Sequence, residues 1–240
     1  GHGVPWDEAS RVKSQYHTVY ALLGVAAATV ANRPGAHELL ETMLQEQKDY
    51  WIDDYGLVWD QYDEAFSEPA PVHALGTLIH TIEAYMAAAE ATTEPEWLDR
   101  AEKMTAFAYK VASKNNWRIP EYYDEEWQPS LEAGKLCNDG RRYHEGYVTG
   151  HSMQLARFAL QVRAGLRSMG WDVPDYLLEM GTELFERARV DGWRRTGGAP
   201  GFSTGVNDQG DPVPGEDEHQ QWVVCEGVCA TVAVRRAMLD

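Results

Sequence analysis

Apolar positions recur at helical spacing along almost the whole chain. In "EGYVTGHSMQLARFALQVRAGL" (145–166), Met153, Leu155, Phe158, Val162 and Leu166 form a core-facing stripe. His151 stands four residues before Leu155, at the head of that buried face rather than on the wet side. The same reading predicts helices over 8–32, 36–52, 73–91, 95–113, 150–169, 174–190 and 219–239. In the second, Leu39, Leu40, Met43, Leu44 and Tyr50/Trp51 share a side. "TTEPEWLDRAEKM" predicts Thr93 as N-cap, with Pro95 in the first turn and Glu96 three residues on, a capping-box pattern. Pro174 opens the sixth helix. Three long connections lie between: 53–71, with a short strand expected over 57–59; 115–150, rich in turns and aromatics; and the Gly/Pro-rich 191–219.

The helices alternate in kind. Those at 8–32, 73–91, 150–169 and 219–239 are apolar almost all round, whereas 36–52, 95–113 and 174–190 carry one ordinary stripe. A helix apolar on every side is expected to be buried on every side. Helical hairpins, each with an inner and an outer member, stacked about an axis accommodate both kinds. The expectation is one all-α domain over residues 1–240. Its long loops would gather at the rim where inner helices begin, which is where a ligand site belongs.

Composition narrows the function. Apolar residues make up 44% and aromatics 11%, enough for a core with aromatics left over for a cleft. Acidic residues outnumber basic ones 38 to 21, for a formal charge of −17. Such a surface repels phosphate backbones and anionic lipid, so neither nucleic acid nor membrane is expected as a partner. A small neutral ligand fits best. The three cysteines give no disulfide framework: Cys225 and Cys229 lie one helical turn apart and Cys137 stands alone in a loop. With no apolar run of membrane-spanning length and no signal-like start, a soluble cytoplasmic protein is expected. Homo-oligomerisation is left open.

Each predicted inner helix carries a histidine in its first half: His17, His80, His151 and His219. Three have a polar residue on the same face: Glu83 for His80, Gln154 for His151, and Glu226, two turns on, for His219. An imidazole near a helix N-terminus is favoured in its neutral form, the form a general base needs. Any one of these histidines alone reads more simply as a core residue or a cap; four at one level of a repeated architecture point to a shared polar cleft. Three imidazoles could also ligate zinc, but no pair has HxxxH spacing and no cysteine joins them, so no metal is assigned.

Five segments carry a resemblance. "IHTIEAYMAAAEATTEPEWLDRAEKM", "RIPEYYDEEWQP", "TGHSMQLARFAL", "EHQQWVVCEGVCA" and "SQYHTVYALLGVAAA" are similar to segments of the N-acylglucosamine 2-epimerase superfamily. The resemblance is nearest to its aldose–ketose isomerase branch, which includes the D-mannose and sulfoquinovose isomerases. It covers nearly all of 1–240 and implies an (α/α)6 barrel of twelve helices, of which this chain holds about seven and lacks the early and final ones. It also implies that His151 and His219 face a sugar as the acid/base pair and that His80 assists binding and ring opening. Glu83 and Glu226 fall on the family's acidic positions. Two departures stand out: Gln154 replaces a glutamate, and "HALGTLIH" (73–80) places His73 at an arginine position, with Leu75, Gly76 and Leu78 where the family has amides.

The expected activity is interconversion of an aldose with its 2-ketose through a cis-enediol. One histidine removes the C2 proton and reprotonation occurs at C1, with no cofactor because the transfer is redox-neutral overall. Rim aromatics Trp59, Trp117, Tyr122 and Trp127 are candidates to stack on the sugar, and His17 and His73 to line the pocket. Three other readings compete. The first is 2-epimerisation by the same histidines. The second is glycoside hydrolysis by a carboxylate pair such as Asp124 and Glu126. The third is a non-catalytic sugar-binding remnant.

Overall fold

The computed structural model describes residues 11–194, 200–215 and 218–239. Among these, eight helices carry the fold: α1 Gln15–Val30, α2 Ala36–Glu46, α3 Leu75–Thr92, α4 Pro95–Lys114, α5 Leu131–Gly134, α6 Thr149–Ser168, α7 Tyr176–Gly192 and α8 Gln221–Ala237. Seven correspond to the expected helices, six of them starting within a few residues of the expected position; the first begins at Gln15 rather than 8, because residues 11–14 form a turn and strand, and 8–10 lie outside the described residues. The short α5 was not foreseen. The end of the second predicted helix is a π-helical turn, Gln47–Trp51, rather than α-helix. Thr93 does not cap α4 as expected. It closes α3 in the left-handed region, at φ 59°, and the Thr92 hydroxyl accepts the N–H of Glu94.

The chain divides into two compact units, one made of residues up to 100 with 122–143, the other of 101–121 with residues from 144 onward. In the first, α1 packs on α2 and α3. Leu75, Leu78, Ile79, Ile82 and Tyr85 of α3 are fully buried. Each such side chain stabilises the fold by roughly 1.5–3 kcal/mol relative to exposure. A polar tie crosses this core: Gln47, in the π-helical turn, accepts from both Gln15 and the Tyr85 hydroxyl. Burial pushes the Tyr85 phenol well above its ordinary range, so it stays a donor. In the second unit α6 packs on both α7 and α8, and Leu155, Phe158, Ala159 and Val162 of α6 are buried among them.

The expectation that four helices are enclosed on every side holds for most of α3 and for the first half of α6 only, since Gln161, Ala164 and Arg167 of α6 are exposed. On α1, Val19, Leu22 and Ala26 are buried, but Tyr20 and Val30 are exposed. On α8, Val223, Gly227 and Ala230 are buried, while Val224, Val228 and Val232 form an open row one turn apart. Apolar sequence all round a helix licenses burial all round but does not supply the neighbour.

The connections repeat one construction. The two-residue strand before an inner helix pairs antiparallel with a strand that precedes a tight loop. Thus β1 (Lys13–Ser14) pairs with β2 (Gln61–Tyr62), β3 (His73–Ala74) with β4 (Tyr122–Tyr123), and β5 (Tyr147–Val148) with β8 (Gly205–Val206). A further pair, β6 (Trp193–Arg194) and β7 (Gly201–Phe202), sits within the second unit. The strand expected at 57–59 is reduced to a single bridge, Ile52 with Val58.

Each tight loop opens on Asp or Asn: Asp53, Asp63, Asp124 and Asn207. In every case the side-chain oxygen accepts the N–H four residues on. Three residues past the Asx the backbone enters the left-handed region, at Gly56, Phe66, Trp127 and Gly210. The side-chain acceptor mimics a backbone turn, which is why Asx recurs there.

A buried ion pair holds the second unit's connection. Arg118 donates from Nε and Nη2 to the two carboxylate oxygens of Asp191, at 2.7 and 3.0 Å, with both side chains under a tenth exposed. Arg118→Ala leaves that carboxylate buried without its main partner and is expected to cost about 3–5 kcal/mol. Urea unfolding followed by circular dichroism measures it; a loss under about 1 kcal/mol would mean that water replaces the guanidinium.

Candidate active site

In the first unit His80 lies on α3 with its ring almost fully buried. Nδ1 is 3.2 Å from Glu83, the partner expected from i,i+3 spacing, and Nε2 is 2.8 Å from the Tyr20 hydroxyl of α1. A neutral ring that donates from Nδ1 to the carboxylate must accept at Nε2 from Tyr20. Tyr16 meets His80 edge-on at 5.5 Å between centroids, and the Arg141 guanidinium lies over the Tyr16 ring at 4.7 Å.

Arg141 was not foreseen from sequence. It bonds Thr77, one turn before His80, and pairs with the buried carboxylates Asp60 and Asp139. Burial alone would lower its pKa, but Asp60 and Asp139 more than offset that and keep it charged. Burial likewise raises Asp139, yet Arg141 and the Ser14 hydroxyl bring its carboxyl below the usual range. The nearby Cys137 thiol is pushed far up, first by burial and then by Asp60, so it stays protonated and inert.

The other predicted residues of this unit sit elsewhere. His17 is exposed and touches Tyr16 edge-on at 5.7 Å. His73, expected to line a sugar pocket, is fully buried between Trp127 (4.0 Å, stacked) and Trp59 (5.1 Å, stacked). Its Nδ1 meets the Val58 carbonyl at 2.8 Å, and Trp127 donates from Nε1 to Asp53. These three rings therefore form a packed stack that locks the Asx loops together, and His73 presents no surface to a ligand.

In the second unit His151 is the third residue of α6. Its Nδ1 lies 2.7 Å from Oε2 of Glu121, whose other oxygen accepts the Val148 N–H at 3.0 Å. Glu121, not Gln154, is thus the orienting partner. A neutral ring that donates from Nδ1 to this carboxylate keeps its lone pair on Nε2, the form a general base needs. Trp222 and His144 flank the ring at 5.6 and 6.3 Å between centroids. Gly150 is required for this: a Cβ there would sit 2.2 Å from the Trp222 indole.

Gln154 instead donates to Glu226 at 3.2 Å, and Arg157 donates to the same carboxylate at 3.0 Å. Because a carboxylate only accepts, the amide orientation is fixed, and Oε1 of Gln154 is left as a buried acceptor with no partner. The contact expected between His219 and Glu226 is not made. His219 precedes α8, is exposed, and lies over Gly201, where a Cβ would approach Nδ1 to 2.7 Å.

Sequence reasoning missed Glu121, Tyr20, Arg141 and Arg157. A signal existed for the first: "EYYDEEWQP" (121–129) parallels "DQYDEAFSEP" (60–69), and both begin on a buried acid. Asp60 accepts the Ala74 N–H and Glu121 the Val148 N–H, each at the strand entering an inner helix.

Comparison with known proteins follows this geometry. The N-acylglucosamine 2-epimerase (GlcNAc 2-epimerase) family pattern matches residues 5–238. A D-mannose isomerase from Pseudomonas cannabina pv. alisalensis is 31% identical over 231 residues, 95% of this chain and 55% of that protein. One from Thermobifida fusca is 31% identical over 227 residues, 92% of this chain and 53% of that protein. The chain therefore spans about half the length of these curated relatives. A crystal structure of D-mannose isomerase aligns with a TM-score of 0.82 at 23% identity, covering 95% of this chain and 57% of that one. A sugar epimerase from a ruminal bacterium aligns at 0.70 and 10% identity, covering 96% and 56%. These likenesses place the chain in the all-α, (α/α)6-barrel fold class expected from sequence.

The buried stack predicts a pH effect. Burial lowers the His73 pKa below 6.5, more than its bond to Val58 and the nearby acids raise it. The unfolded chain then binds a proton that the folded chain refuses, so stability falls as pH drops below the ordinary histidine value. Chemical unfolding at pH 7 and pH 5 should show His73→Leu losing less stability over that interval than the parent. An equal loss in both would show that His73 does not contribute.

Proposed function

Because the chain belongs to the N-acylglucosamine 2-epimerase family, we propose that it interconverts an aldose and its 2-ketose by histidine acid–base proton transfer. The relatives named D-mannose isomerase favour D-mannose as the aldose, which makes D-fructose the ketose. One observation carries the reading: Glu121 holds His151 Nδ1 at 2.7 Å, leaving Nε2 as a lone-pair atom at the head of α6 beside Trp222.

In this mechanism one histidine of the pair His151 and His219 takes the C2 proton of the open-chain aldose. The C–H electrons become the C1–C2 double bond of a cis-enediol as the C1 carbonyl oxygen gains a proton. Return of a proton to C1 and loss of the C2 hydroxyl proton give the ketose. His151 is the better oriented base, since Glu121 fixes its tautomer and stabilises the imidazolium that forms. Gln154 and Glu226 serve the sugar hydroxyls together: the Glu226 carboxylate, clamped by Arg157, accepts from one, and Gln154 holds that carboxylate in place. His80, held by Tyr20 and Glu83, takes the assisting role in binding and ring opening. A neutral monosaccharide suits a chain of charge −17, and three free cysteines suit a reducing, cytoplasmic setting.

The family name favours one second reading, 2-epimerisation, in which the proton returns to C2 from the opposite face. Incubation with mannose, fructose, glucose and N-acetylmannosamine in D₂O separates the two. Isomerisation of mannose places deuterium at C1 of fructose, whereas epimerisation places it at C2 of the epimeric aldose. His151→Asn and His219→Asn are each expected to lower kcat by about 10²–10⁴-fold. Full activity in either variant removes that residue from the pair, and sugar binding by calorimetry without turnover in the parent identifies a binding protein.

A further inference from the structure

The C-terminal halves of α6 and α8 flank an open groove of about 700 Å³ within the second unit. Leu160 and Ala237 are buried at its apolar floor, the exposed Ala164 and Val232 line its sides, and four arginines stand along it: Arg157, Arg163, Arg167 and Arg236. No described acidic residue lines it. In a chain with 38 acidic and 21 basic residues, a groove lined by four guanidinium groups and no described carboxylate runs against the overall balance.

Helix dipoles account for part of this. Arg167 and Arg236 lie in the last turns of their helices, where a cation complements the terminal carbonyls. Arg157 and Arg163 lie further back on α6, beyond the reach of that effect. Arg157 is already bonded to Glu226. Arg163 and Arg236 make no ion pair among the described residues, and Arg163 is half-buried. Placing an unpaired guanidinium partly out of water is unfavourable unless an anion reaches it.

We propose that this groove binds a small organic anion of the phosphorylated-metabolite class. A phosphoryl group accepts paired hydrogen bonds from the planar guanidinium forks, and the apolar floor takes the carbon skeleton. The volume falls in the range of small-molecule sites, about 300–1,000 Å³. Arg163 and Arg236 come from different helices, so a ligand with phosphate at one end spans the two walls. The proposal does not depend on the isomerase reading, and its test measures binding rather than turnover.

The test is heat unfolding and titration calorimetry of the whole chain with inorganic pyrophosphate, with glucose 6-phosphate, and with glucose as the uncharged control. At about ten times Kd, either anion should raise Tm by roughly 3–6 °C, and glucose should not reproduce that rise. Added sodium chloride should weaken binding of the anions. The double variant Arg163→Gln/Arg236→Gln should lose the shift, whereas Arg33→Gln, an exposed arginine of the first unit, should keep it. Arg236→Gln alone, on an exposed position, should weaken binding without disturbing the fold. No shift with either anion, or an equal shift in the double variant, overturns the proposal.

Discussion

A buried carboxylate with two oxygens to satisfy sits at the turn before an inner helix, and much of the architecture follows from satisfying it. Asp60 and Glu121 are both nearly inaccessible to water. Each accepts one backbone N–H from the strand that enters an inner helix, Ala74 for Asp60 and Val148 for Glu121. The remaining oxygen needs a positive or donor partner, because a carboxylate stripped of water and left half-satisfied is strongly unfavourable. Asp60 takes the Arg141 guanidinium and Glu121 takes the His151 imidazole. One device thus both fixes the start of a helix and orients a basic side chain beside it.

This arrangement links fold to mechanism within each unit. In the second, the Glu121 carboxylate decides which nitrogen of His151 carries the proton, and Gly150 lets Trp222 close against the ring. The amide at Gln154, where the resemblance implies a glutamate, then has a simple electrostatic sense. A carboxylate at 154 would face Glu226 at hydrogen-bond distance, and two such charges repel unless they share a proton. The amide donates to Glu226 instead, and Arg157 neutralises the one charge that remains. In the first unit, His80 is held between the Glu83 carboxylate and the Tyr20 hydroxyl, while the Arg141 guanidinium covers the Tyr16 ring that meets the imidazole edge-on.

The aromatic residues of the connections divide by the same logic. Trp127 and His73 are buried together because the left-handed turn at Trp127 directs that indole inward, onto Asp53 and the imidazole. A flat ring stack anchored through His73 Nδ1 and Trp127 Nε1 is a rigid brace between Asx loops. Those rings support the loops that carry Asp60 and Tyr122. They are not available to stack on a sugar.

Residue order alone determined the helices, since periodicity over eleven or more residues is a local property of the chain, and it determined the family through five ordered motifs. It placed Glu83 beside His80, because i,i+3 neighbours on a helix meet whatever surrounds them. Its partners for His151 and His219 failed for the converse reason. Glu121 reaches His151 from thirty residues earlier, and Glu226 turns to Gln154 on a neighbouring helix. No spacing rule reports a contact between segments. The enclosure of α3 and of the first half of α6, but not of α1 and α8, is of the same kind. Composition sets how apolar a helix is, whereas only packing decides which of its faces finds a neighbour.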